Sequence, residues 1–151
     1  MQLVLRLPED WKVRELESGR TVIRLPKDVE IEIDPFVAAP DEPRLWIEQT
    51  MLRETPFAAK LRDPMPVLAR NELGWPMEVS AATVVDPDGK VVEGRIGAFF
   101  KFQEWACSAL ARAADVAALE EQRAAIIEAL QGARPDWRNP QMPAALSELW
   151  E

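Results

Sequence analysis

The chain contains no histidine and no tyrosine, and a single cysteine among its 151 residues. Without histidine there is no Ser-His-Asp or Cys-His nucleophile, no His-ligated zinc or haem, and no ordinary general base near neutral pH. An enzyme built on this chain would have to work through carboxylates, lysine or arginine. One cysteine excludes an intrachain disulfide and fits a reducing compartment. No apolar run approaches the ~18 residues that a membrane span needs. The opening MQLVLRLPEDW has too short an apolar run and no basic flank for a secretory signal. The expectation is a soluble cytoplasmic protein that does not insert into a membrane.

Basic clusters are missing too. The net charge is −8, and residues such as Arg53, Lys60 and Arg62 are scattered singly. Nucleic acid would be repelled by such a surface unless a basic patch were concentrated somewhere, and none is visible, so no nucleic-acid partner is expected. What is present is ordinary globular composition, 48% hydrophobic and 29% charged, in a chain long enough for one cored domain. Residues 1–134 read as that domain and 135–151 as a proline-punctuated tail.

The clearest local signal is a hairpin over Met77–Val85 and Lys90–Phe102, joined by Asp86-Pro87-Asp88-Gly89. Proline presets φ at the second turn position and glycine accepts a positive φ at the fourth. Such a turn pairs Val85 with Lys90 and sets Val79 opposite Ile96, Met77 opposite Ala98 and Thr83 opposite Val92. One face is then apolar, and the other carries Ser80, Ala82, Glu93 and Arg95.

Around the hairpin, short alternating runs at Leu3–Leu7, Trp11–Arg14, Thr21–Leu25 and Val29–Ile33 predict an antiparallel meander. Asp41-Glu42-Pro43 resembles a helix start, and a helix over about Pro43–Glu54 avoids a long structureless loop. Val67–Leu73 is a candidate strand. Gln103–Arg112 fits a helix by its alanines and a strand by its alternation; the strand is favoured. Asp115 caps a helix ending near Gln131 and Gly132. The pattern predicts an α+β fold, a mostly antiparallel sheet with helices on one face and the C-terminal helix packed there. Trp11, Trp46, Trp75 and Trp105 are expected in the core, and Trp137 and Trp150 to dock from the tail.

Candidate chemistry is sparse. Glu30, Glu32 and Asp34 lie along one strand face, but parallel side chains do not converge on a metal, and a solvated face is expected. Asp86 and Asp88 are explained by their turn. Cys107, flanked by apolar residues, is expected to be buried and inert. No catalytic residue, metal or cofactor is expected. Phe99 is the exception on the hairpin's second face, where a solvated surface should not want it. Val84, Arg95, Phe99 and Lys101 are therefore the candidate protein-binding surface, an apolar centre with a charged rim. Cover by the chain's own tail is the alternative.

Leu7-Pro8-Glu9-Asp10-Trp11 after an opening strand, Asn71-Glu72-Leu73-Gly74-Trp75-Pro76 before the central strands, and the order hairpin, strand, helix to Gln131 together resemble the PsbP-like superfamily, in its DcrB-related branch. The resemblance implies no shared catalytic residues. Within that superfamily the chain looks most like the effector-associated chaperones of bacterial type VI secretion. That resemblance implies a cytoplasmic, often dimeric adaptor sheltering apolar segments of a secreted effector, with a homodimer as a further expectation.

Overall fold

The structure is a computed structural model that describes residues 2–41 and 43–136. Its strands and helices are β1 (Gln2–Val4), β2 (Lys12–Glu15), β3 (Thr21–Leu25), β4 (Val29–Ile33), β5 (Val37–Ala38), α1 (Pro43–Met51), β6 (Lys60–Val67), β7 (Met77–Val85), β8 (Val91–Phe102), β9 (Trp105–Ala113), α2 (Val116–Gln131) and β10 (Arg134–Asp136). The main sheet runs β2-β3-β4-β9-β8-β7-β6 with β5 also on β9, and every pairing is antiparallel. β1 and β10 form a separate two-stranded ribbon. The α+β class and the strand assignment for Trp105–Ala113 match the sequence reading, and so does the meander from β2 to β4, whereas the Leu3–Leu7 run expected to join it gives β1, which pairs with β10 instead. Among the described residues no helix is long and apolar enough to cross a membrane.

The hairpin forms with its faces as expected but a shifted register. Gly89 takes φ 81°, and the Asp86 N–H donates to the Lys90 carbonyl at 2.9 Å. The loop proper is thus three residues, Pro87 to Gly89, a turn closed by a left-handed glycine. Asp86 Oδ1 accepts from the N–H groups of Asp88 and Lys90. Val85 therefore faces Val91 instead of Lys90, and a bulge between Val84 and Val85 adds one more residue. Val79 ends opposite Ala98, with Met77 opposite Phe100. Two single-residue slips cancel in the alternation, so Val79 and Ile96 still share the core face.

The helices lie on opposite faces of the sheet, which corrects the expectation of one helical face. Two glycines of β8, three positions apart, mark the seats. A Cβ at Gly94 would lie 2.9 Å from Leu119 of α2, and one at Gly97 would lie 2.5 Å from Met51 Sδ of α1. Odd and even positions of a strand point to opposite faces, so each missing side chain admits a different helix. The α2 face holds the larger core, with Ile23, Ile31, Ile96, Phe100 and Phe102 against Leu119, Ile126 and Leu130. Asp115 caps α2 by accepting from the N–H groups of Ala117 and Ala118. Phe100, Phe102 and Trp75 add ring contacts.

Three further expectations change. The strand expected at Val67–Leu73 lies earlier, at Lys60–Val67, because β6 is the sheet edge, where Pro64 and Pro66 are tolerated. Trp11 is buried, Trp46 and Trp75 are half-buried, and Trp105 sits exposed at the start of β9. Pro135 and Asp136, assigned to the tail by sequence, pair with Leu3 and Gln2. The readings of Trp137, Trp150 and the rest of the tail fall outside the described residues.

Candidate functional site

The expected binding face is closed by α1. Val84, Arg95 and Phe99 are 0%, 1% and 2% exposed, and Lys101 is half-buried. Ile47 and Met51 of α1 pack on Phe99, Ala106 and Leu110. The premise of an open apolar face is thus corrected: Phe99 is apolar because the chain's own helix lies on it. Nine residues of helix with apolar positions four apart suit that task.

Arg95 is buried and hydrogen-bonded through two of its three nitrogens. It donates from Nη1 to the Met51 carbonyl at 2.6 Å and to Thr55 Oγ1 at 3.1 Å, and from Nε to Glu93 Oε1 at 2.5 Å. The first bond satisfies a carbonyl that the last turn of α1 leaves without an intrahelical donor, and it brings positive charge to the negative end of the helix.

The carboxylate row of β4 is not a solvated face, which is a second correction. Glu32 is only 6% exposed, because the turn after α1 folds over it. Its Oε2 lies 3.6 Å from Nη1 of both Arg20 and Arg53, and its Oε1 lies 3.3 Å from Arg112. Asp34 pairs with Arg53 and Arg20 and accepts from Ser108 Oγ at 2.9 Å. Glu54 completes the cluster, 2.6 Å from Arg112. The hydrogen bond from Arg112 holds the Glu54 carboxyl below the usual glutamate range; partial burial opposes this, and the charges of Arg112, Arg20 and Arg53 add to it. Among the described residues, Glu32 Oε2 and Arg53 Nη1 are buried without a hydrogen bond. They attract across a gap too long for one.

Cys107 is buried, as expected, and burial followed by the nearby Asp34 charge pushes its thiol up. Its Sγ–H donates to the Asp34 carbonyl at 3.2 Å. Among the described residues no group of three or more Cys, Asp or Glu is arranged to hold a metal.

The feature that sequence reasoning missed is a cavity of about 510 Å³ on the α2 side of the meander, where the segment from β1 to Leu7 crosses the sheet. Its walls include Leu3, Leu5, Leu7, Val13, Ile23 and Phe36. Val13 remains 56% exposed on edge strand β2, and Leu3, Leu5 and Leu7 are half-buried. Glu15, Thr21 and Asp34 supply the polar lining. The signal was present in the Leu3-Leu5-Leu7 alternation, which implies one apolar face without saying how fully the sheet would cover it.

No family model matches the chain, and no curated protein sequence does either. Solved structures do. The solution structure of cyanobacterial PsbP (CyanoP) from Synechocystis sp. PCC 6803 is similar with a TM-score of 0.59 at 10% identity, over 87% of this chain and 91% of that one. LpqN of Mycobacterium tuberculosis, described as involved in cell envelope biogenesis, is similar with a TM-score of 0.53 at 13% identity, over 88% of this chain and 83% of that one. The chain has the PsbP-like fold, in agreement with the resemblance noted from its sequence.

Proposed function

We propose that this PsbP-like chain is a non-enzymatic protein-binding module that shelters an apolar segment of another polypeptide. In the finer form it is a cytoplasmic chaperone or adaptor for a secreted effector, of the kind that serves type VI secretion. The observation that carries the reading is the cavity beside β1, about 510 Å³ with walls of Leu, Val, Ile and Phe side chains. That size lies within the range of about 300–1,000 Å³ typical of ligand sites. One of its polar groups, the Asp34 carboxylate, is already engaged by two arginines. Apolar side chains fit such walls better than a small polar substrate does. β1 pairs with β10 on one side, so an extended segment laid along its other side could add main-chain bonds. A net charge of −8 favours a partner segment carrying basic residues beside its apolar ones.

The test is to cross-link and co-purify the protein from its native host, identify the bound polypeptide, and titrate it with wild type and Val13→Asp. Val13 is exposed enough for the charge to leave the fold intact. At least a ten-fold weaker Kd with an unchanged melting temperature is expected, on the order of the 1.4 kcal/mol that a factor of ten represents. Equal binding by the variant would refute the site.

A further inference from the structure

We infer that α1 and the turn after it form a latched lid, and that the sheet face beneath it becomes accessible by local opening without unfolding of the domain. This goes beyond the protein-binding reading, and its test needs no partner. Four observations carry it.

The lid buries fewer apolar side chains than α2 does. Among the described residues, Ile47 and Met51 are the buried hydrophobic side chains of α1, with the half-buried Trp46 packed beside them, against the larger core on the α2 side. A nine-residue helix has little stability of its own, since isolated helices below about 12–15 residues are marginal in water.

Much of the remaining attachment is polar and gathered at one end. Arg53 reaches Asp34 and Glu32, Glu54 reaches Arg112, and the Met51 carbonyl takes the Arg95 guanidinium. The Glu54 side chain is 52% exposed, so this part of the latch is open to water and salt.

The turn leaving α1 is strained. Glu54 and Ala58 are non-glycine residues at φ 52° and 66°, a region that costs L-residues energy and that opening would relieve.

The face underneath is a suitable surface in its own right. Gly97 leaves a notch, Phe99 and Leu110 provide apolar ground, and Ala82 and Ala106 keep it shallow. Opening would also uncover the Glu32 and Asp34 carboxylates where Arg53 now sits.

The experiment is native-state hydrogen exchange on the full chain, following the amides of residues 45–55 against those of 97–101. The expected result is exchange in α1 at least 100-fold faster than in β8. Glu54→Gln should quicken α1 about three-fold further and leave β8 unchanged. Exchange of both elements at one common rate, or equal acceleration of both by Glu54→Gln, would overturn the lid. An independent probe is Ala106→Cys in a Cys107→Ala background, which places a small thiol beneath α1. Its labelling should run at least ten-fold faster than that of wild-type Cys107 on the opposite face. Equal rates would overturn the proposal, while the cavity reading beside β1 would stand or fall by its own titration.

Discussion

The Arg95 guanidinium donates to the Met51 carbonyl at 2.6 Å, joining the centre of the sheet to the end of α1. A charge this deeply buried belongs in a fold only where it is paired and hydrogen-bonded, and Glu93, Thr55 and the helix end pair and bond it here.

Arg95→Ala should therefore be among the most damaging single changes on this side of the sheet. It leaves the half-buried Glu93 and the Met51 carbonyl without their donor, and removal of one partner from a buried pair costs about 3–5 kcal/mol. Urea unfolding monitored by tryptophan fluorescence measures the loss. A change below about 1 kcal/mol, the size of a typical exposed pair, would mean that the arginine is not buried as described.

Gly97 and Met51 should be coupled. A Cβ at Gly97 meets Met51 Sδ at 2.5 Å and Cγ at 3.0 Å, so Gly97→Ala should cost about 1–3 kcal/mol through overpacking. In the Met51→Ala background the same substitution should cost much less. A double-mutant cycle measures the difference, and strict additivity would show that α1 is not seated on Gly97.

Cys107 should be silent toward thiol reagents in the native state. Burial favours its neutral thiol, and the thiolate is the reactive form. Labelling should track global unfolding across a urea series. Rapid labelling in plain buffer would contradict the burial.

The Glu54 contribution should depend on acid alone. Its carboxyl, facing Arg112, Arg20 and Arg53 in a cluster shared with Glu32 and Asp34, is held below its ordinary value. A depressed carboxylate stabilises fully above the unfolded value, about 4.3 for glutamate, and loses that effect as pH falls through its folded value. The stability difference between wild type and Glu54→Gln should be constant from pH 6 to 8 and shrink below about pH 4. Thermal melts across that range check it; a gap that widens on acidification would reverse the sign.

Local chemistry was legible in this sequence because its causes lie within a few residues. Asp115 next to the first turn of α2, Gly89 in the hairpin loop and the alternation of Val29, Ile31 and Ile33 each act on their own neighbours. The faces of the hairpin were readable for the same reason, since alternation survives any even slip of register. Cys107 was readable as buried from the apolar residues flanking it.

Long-range packing decided the remainder. Whether Phe99 faces water, the tail or a helix depends on where α1 lies, and its seat at Gly97 is far from α1 along the chain. Glu32 reads as solvated beside Glu30 and Asp34, yet it is buried because Arg53 and Arg112, distant in sequence, arrive to neutralise it. The pairing of β4 with β9 and the cavity beside β1 are likewise products of segments meeting across the domain. Alternation tells which residues share a face of a strand. What covers that face is set by the competition among all the apolar surfaces of the folded chain, and only the tertiary structure resolves it.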